Sequence, residues 1–197
     1  VNNPEPDHSG GLPAIMRQLG EEAAALLIEV RSPTPEGLQE KIATVLAALN
    51  GIATVEPVQF STDPATCDMY WKVRKGTFPA VGAMRRTGTT VLIEDVAFHI
   101  DRLADAVLDL QALLRHHGYH EAIIFGHALE GNVHFVITQD FGDKSEVDRY
   151  ARFMDDLCHM VVDKYDGSLK AEHGTGRNMA PFVELEWGKE AADLMRK

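Results

Sequence analysis

Hydrophobic and polar positions alternate along the chain between the spacing of strands and that of helices. Three segments have strand-like spacing: Thr89–Phe98, Glu121–His127 and Asn132–Gln139. Two segments have helical spacing: Ile100–His117, closed by Gly118, and Ser145–Tyr165. Several connections are as short as a hairpin, which favours antiparallel pairing. The pattern predicts an α+β fold, with ferredoxin-like units combined into an antiparallel sheet and helices packed on one face.

The flanking segments are less regular. Residues 1–13 are rich in Pro, Gly and Asn and predict a linker or tail, so that residues 14–197 form the domain. Thr34-Pro35-Glu36 predicts a helix start. We expect a helix at Asp63–Arg74, a loop at Lys75–Gly88, and short strands at Ala24–Arg31, Thr54–Phe60 and Ser168–Glu172. The absence of an initiator Met and the helical pattern at the last residues lead us to expect a fragment of a longer protein.

Composition narrows the class of protein. A net charge of -11 argues against nucleic acid as a partner, since phosphate neutralisation needs clustered Lys and Arg. The two cysteines, Cys67 and Cys158, form no CxxC motif, which indicates a reducing, cytoplasmic setting without a disulfide framework.

The segment Gly126–His134 is the first candidate for chemistry. His127 and His134 flank a turn with strand-like alternation on both sides. A β-hairpin would place the two imidazoles within about 5 Å of each other, close enough to share a metal ion. The alternative is that these histidines only complete a turn.

The segment Ala171–Arg177 is the second candidate. Glu172 offers an anionic oxygen ligand that would complete a His-His-Glu set with open positions for a substrate. Alternation along a strand would point His173 to the opposite side, and a break at Gly174 would redirect it toward the same cavity. The alternative is an exposed turn with a chance Glu-His pair.

A basic cluster stands out in this acidic chain, formed by Lys72, Arg74 and Lys75, with Arg85 and Arg86 further on. The planar guanidinium of Arg74 suits a carboxylate. Lys72 and Lys75 are equally consistent with ordinary solvated charges on a helix.

Taken together, the motifs Gly126–His134 and Glu172–Gly176 resemble the C-terminal substrate domain of FAD-linked oxidases, relatives of D-lactate and D-2-hydroxyglutarate dehydrogenases among the vanillyl-alcohol-oxidase-type flavoenzymes. The similarity runs from about Leu26 to the C-terminus. It implies oxidation of a 2-hydroxy acid to a 2-oxo acid, with hydride transfer to the flavin of FAD. The expected partners are a small 2-hydroxy acid, the FAD-binding domain of the same full-length chain, and an iron–sulfur region or other electron acceptor. Peripheral attachment to the inner membrane through that acceptor is an alternative to a freely cytoplasmic location.

The resemblance also implies a role for each residue. The metal ligands would be His127, His134 and Glu172, holding zinc, manganese or iron. His173 would be the general base that takes the hydroxyl proton. Arg74 would bind the substrate's 1-carboxylate, and Asn132 would lie close to the flavin.

The chain departs from the family pattern at two positions. Glu130 replaces the Asp that commonly precedes Gly-Asn in the hairpin. Ile93 stands where D-2-hydroxyglutarate relatives often have a lysine, which leaves a dicarboxylate substrate in doubt. The sequence also has no glycine-rich FAD-binding loop, so we expect this fragment alone to be colourless and inactive.

Two other classes of function remain open at this point. One is a non-catalytic metal-binding or ligand-sensing domain, for which a base beside the metal has no use. The other is a metal-dependent hydrolase that uses the same three ligands.

Overall fold

The computed structural model describes residues 20 and 23–197 and divides the chain into two compact units, Val1–Thr77 and Phe78–Lys197. The predicted tail at residues 1–13 lies outside the described residues.

The first unit contains helix α1, Pro35–Ala48, and the start of α2, Pro64–Met84. Thr34 caps α1, since its hydroxyl accepts a hydrogen bond from the Gly37 N–H at 3.2 Å. Pro35 stands in the first turn, where its missing N–H costs nothing. The predicted helix start is therefore confirmed.

Three expectations for the local structure of residues 24–88 are wrong. Ala24–Arg31 and Thr54–Phe60 form no strand, and the apolar side chains of Leu26 and Val55 are mostly exposed. A strand needs a partner for its N–H and C=O groups, which a short apolar run cannot guarantee. The predicted loop at Lys75–Gly88 is helical as far as Met84, because α2 continues through Gly76 and Pro79.

The second unit is built on a three-stranded antiparallel sheet. Its strands are β1, Thr90–Ala97; β2, Ile123–His127; and β3, Asn132–Gln139. β3 lies in the middle and pairs with both others. Helix α3, Leu103–His116, connects β1 to β2, and a 3-10 turn, Ala128–Glu130, joins β2 to β3.

The sheet order confirms the α+β prediction and gives it a ferredoxin-like connectivity. Helix α4, Lys144–His159, follows β3 and continues as a π-helical turn, Met160–Lys164. The chain then returns beside β1, where a fourth strand would lie. It makes only one bridge there, between Ala97 and Ser168, so the predicted strand at Ser168–Glu172 is reduced to a single residue pair.

The hydrophobic core lies between the sheet and the two helices. β3 contributes Val133, Phe135 and Ile137, which alternate with the residues of its other face. Residues one turn apart on α3, α4 and the π-helical turn that continues α4 cover them: Ala106, Leu110, Leu114, Phe153, Leu157 and Val161.

After the bridge, the chain forms bends up to residue 175, then the short helix α5, Gly176–Met179, and α6, Val183–Met195, which is kinked at Gly188. In the described residues, every helix is too short or too polar to cross a membrane. The irregular segment before α5 carries Glu172 and His173.

Candidate metal centre

The face of β3 opposite the core positions the first candidate ligands. His134 on this face pairs with Asp95 of β1 on one side and with Phe125 of β2 on the other. His127 and Asn132 pair at the hairpin end of the same face. Residues paired across strands point to the same side of a sheet, so the register alone gathers these side chains.

The hairpin brings the two histidines together, as its alternation predicts. The ring centroids of His127 and His134 are 5.5 Å apart and the rings are nearly perpendicular. The two environments differ: the His134 side chain is 4% exposed, whereas that of His127 is 53% exposed. One imidazole is therefore held in the protein and the other faces solvent.

Glu172 brings an oxygen to this pair. Its Oε1 atom lies 3.0 Å from Nε2 of His134 and 3.4 Å from Nε2 of His127. Donor atoms about 2.0–2.2 Å from a tetrahedral ion are separated by about 3.3–3.6 Å, so these distances are close to those of a metal site. The three donor atoms all lie within 4.8 Å of one another. The donor set therefore fits a divalent ion and keeps an open side, since Glu172 is also 54% exposed.

His173 lies on the same side as the three candidate ligands. Its ring stacks on that of His134, with centroids 4.7 Å apart and planes 17° from parallel. The bends between residues 171 and 175 break strand alternation, and Gly174 adopts a φ of 69°. The break near Gly174 thus redirects the segment as predicted, and both Glu172 and His173 face β3.

Asp95 is fully buried next to these histidines. Burial acts to raise the pKa of its carboxyl group. Hydrogen bonds from the Glu172 and His173 N–H groups, together with the charges of His173 and Lys170, act in the opposite direction and hold the pKa below its usual value. Asp95 is therefore a buried anion in contact with the segment that carries Glu172.

His134 is shifted toward its neutral form. Burial lowers its pKa and the neighbouring His173 lowers it further, while Glu172 and Asp95 act to raise it. Metals bind neutral imidazole, so this environment favours the state that a ligand needs.

The other two predicted site residues have different surroundings. Asn132 is buried and its Nδ2 atom donates to Asp95 at 3.4 Å, while its Oδ1 atom accepts no hydrogen bond within the described residues. Arg74 is half-buried on α2 in the first unit, whereas the other site residues belong to the second unit.

Sequence reasoning missed the part played by Asp95 and its neighbour Glu94. The available signal was their position: two adjacent acids interrupt the apolar run from Val91 to Val96. Acidic side chains are seldom buried unless they are paired, so acids inside a core strand indicate specific partners. No periodicity argument identifies those partners, because they come from a segment more than seventy residues away.

Comparison with known proteins decides the family. The family of C-terminal domains of FAD-linked oxidases matches residues 7–197. This chain belongs to that family. The resemblance drawn from the two glycine–histidine motifs is confirmed.

Relatives of this FAD-linked oxidase domain are similar at low identity. It is 26% identical over 175 residues to "Glycolate oxidase subunit GlcD" of Bacillus subtilis, covering 88% of this chain and 35% of the relative. It is 29% identical over 137 residues to "Probable D-lactate dehydrogenase, mitochondrial" of Danio rerio, covering 70% and 27%. It is 22% identical over 170 residues to "D-2-hydroxyglutarate dehydrogenase" of Stutzerimonas stutzeri, covering 85% and 35%. The chain therefore spans about a third of the length of these relatives.

Proposed function

We propose that this domain is the substrate- and metal-binding part of an FAD-dependent D-2-hydroxy-acid dehydrogenase of the D-lactate or D-2-hydroxyglutarate type. The observation that carries the proposal is the convergence of His127, His134 and Glu172 beside His173. The names of the relatives support the same class of substrate, since glycolate, D-lactate and D-2-hydroxyglutarate are all 2-hydroxy acids.

The three ligands define what the site can bind. Two imidazole nitrogens and a carboxylate oxygen suit zinc, manganese or iron. A divalent ion would polarise the substrate's 2-hydroxyl group and stabilise the alkoxide that forms. His127 and Glu172, both about half exposed, leave the approach to this position open to a small acid.

His173 is suited to take the proton from that hydroxyl group. Its Nδ1 atom lies 3.7 Å from the Asp95 carboxylate, whose charge favours a proton on Nδ1. The Nε2 atom lies 4.0 Å from Glu172 and is left to accept the substrate proton. FAD, held by another domain of the full-length chain, would receive the hydride.

Two further roles complete the proposal. Arg74 would bind the substrate's 1-carboxylate through its planar guanidinium group. Asn132 would lie near the flavin, where its buried Oδ1 atom is able to accept a hydrogen bond from a bound group. An electron acceptor would then reoxidise the flavin in the full-length protein.

Metal analysis of the purified protein tests the ligand set. We expect about one divalent ion per chain in the wild type and its loss in His134→Ala with the circular dichroism spectrum preserved. His159→Ala is the matched control, because this exposed histidine of α4 contacts Asp163 rather than the site and should leave the metal content unchanged. Full metal content in His134→Ala would contradict the assignment.

Turnover by the full-length protein tests the reaction. With its FAD-binding domain present, the protein should reduce a redox dye in the presence of D-lactate or D-2-hydroxyglutarate. His173→Ala should lower kcat by about 100-fold or more while the metal content stays unchanged. A metal-loaded, flavin-loaded protein that reduces no dye with either acid would refute the proposed activity.

A further inference from the structure

We propose that Asp95 is a positioning residue for the metal-binding segment, and that Glu94 secures the two ends of the same segment. The inference rests on the proposed metal site, because the residues that would be positioned are its third ligand and its base. Asp95 and Glu94 contact neither metal nor substrate in that proposal.

One carboxylate oxygen of Asp95 holds three consecutive backbone amides. Its Oδ2 atom accepts hydrogen bonds from the N–H groups of Ala171, Glu172 and His173, at 3.2, 2.7 and 3.3 Å. Hydrogen bonds to a charged acceptor are stronger than neutral ones, and this acceptor has no exposed surface. The backbone of both functional residues is therefore fixed to β1 at one point.

The second oxygen of the same carboxylate faces the imidazole that this backbone carries. Its Oδ1 atom lies 3.7 Å from Nδ1 of His173. A single buried side chain thus constrains the main chain of Glu172 and the ring of His173 together. Loss of the Asp95 carboxylate would remove the contacts that hold Glu172 and His173 in position beside His134.

Glu94 contacts the chain on both sides of residues 171–173. Its carboxylate contacts Nζ of Lys170 just before the segment and accepts a hydrogen bond from Nδ2 of Asn178 just after it. Lys170 also lies 3.5 Å from Asp95. The two adjacent acids of β1 therefore hold the chain at three places between residues 170 and 178.

The segment itself offers little other regular structure. Residues 169–175 form neither a helix nor a ladder, and Gly174 and Gly176 both have positive φ. A segment of this kind has few backbone hydrogen bonds of its own to define its shape. The hydrogen bonds to Asp95 of β1 determine the shape of the segment instead, and we therefore assign the positioning role to Asp95.

The experiment compares Asp95→Ala and Asp95→Asn with Asp109→Asn. Asn keeps an oxygen acceptor without the charge and should partly rescue the effect of Ala. Asp109 is the matched control, a carboxylate on α3 that binds Lys164 and Tyr165 instead of the segment. Two quantities are measured on each protein: hydrogen exchange of peptides that cover residues 168–178, and the affinity and visible absorption spectrum of bound Co²⁺.

We expect faster exchange at residues 171–173 in both Asp95 variants, with protection of β3 retained. The affinity for Co²⁺ should fall by about 10–100-fold in Asp95→Ala and less in Asp95→Asn, with an altered spectrum. Asp109→Asn should match the wild type in both measurements. Asp95→Asn decides the question if Asp95→Ala does not fold.

Two results would overturn the inference: unchanged exchange at residues 171–173 in both variants, or unchanged affinity and spectrum despite faster exchange. A wild-type protein that binds no Co²⁺ would instead refute the proposed metal site. Exchange needs no metal, so faster exchange in the Asp95 variants would still support a positioning role for Asp95 in that case.

Discussion

Burial shifts the pKa of individual side chains in the second unit, as His134 and Cys158 both show. Burial lowers the pKa of His134, because it disfavours the charged imidazolium. For a thiol, burial disfavours the charged thiolate and therefore raises the pKa. Burial therefore favours the neutral form of both side chains: an imidazole, the form that a metal ligand needs, and a thiol, the form that is a poor nucleophile.

The reactivity of the two cysteines provides a test. Burial raises the pKa of Cys158 to about 12, so at pH 8 only about one thiol in ten thousand is a thiolate. We expect Cys67→Ser, which retains only Cys158, to react with a disulfide reagent only after denaturant is added. Cys158→Ser, which retains the half-buried Cys67, serves as the comparison and should react in the folded state. Rapid labelling of folded Cys67→Ser would show that Cys158 is accessible.

The two short motifs made His127, His134, Glu172 and His173 candidates, and the family resemblance joined them into one predicted site. They did not predict what Asp95 contacts. Its partners are backbone N–H groups, which every residue but proline carries, so no pattern of side chains identifies them. Residues that act through the backbone of a distant segment are therefore the hardest part of such a site to infer from sequence.

At the scale of elements, the β2–β3 hairpin is the part that most directly fixes the site. Its turn ends at Gly131, which has a φ of 64° and whose carbonyl accepts a hydrogen bond from the Phe98 N–H at 2.9 Å. A side chain at this position would also meet the Phe98 carbonyl oxygen, since an added Cβ would lie 2.0 Å from it. The turn therefore needs glycine for two independent reasons.

Substitution of Gly131 by alanine separates these reasons when compared with Gly88→Ala. Gly88 also has a positive φ, 92°, but its added Cβ would meet no atom within 4 Å. We expect Gly88→Ala to lower the free energy of unfolding by about 1–2 kcal/mol through backbone strain alone. Gly131→Ala should cost more, because the hairpin must also move away from Phe98. Equal losses in urea denaturation would mean that the hairpin shifts without cost.

The strands that pair with a neighbouring strand were predicted well from their sequence pattern. The predicted strands that form no ladder were not. β1, β2 and β3 lie within the three predicted strands, and each pairs with a neighbour. The run at Ala24–Arg31 is equally apolar but has no ladder in the part of the chain that the structure describes. Whether a segment pairs as a strand depends on residues far away in the sequence, so a short apolar run alone does not predict it.

At the scale of the whole molecule, the four clustered site residues all belong to the unit Phe78–Lys197. A metal that binds only the folded state stabilises it by mass action. The two tryptophans of the chain, Trp71 and Trp187, fall in different units. Fluorescence of Trp187 alone therefore reports on the unit that carries the site.

A Trp71→Phe variant tests this linkage. At a free Zn²⁺ concentration of about 100 times Kd, the Trp187 unfolding transition should gain about 2.7 kcal/mol of stability, and a chelator should abolish the gain. Adding His134→Ala to the same background should remove the response to Zn²⁺. If Zn²⁺ is shown directly to bind and the Trp187 unfolding transition does not shift, binding does not stabilise the folded unit and this prediction is wrong.

The hairpin also has a consequence for the order in which the chain folds. Its two histidines are only seven residues apart, so closing that loop is fast and needs little of the remaining chain. Glu172 lies about forty residues further along and must wait for α4 and the return of the chain to β1. In the proposed site, local folding of one hairpin thus brings two of the ligands together, whereas the third depends on contacts made across the whole second unit.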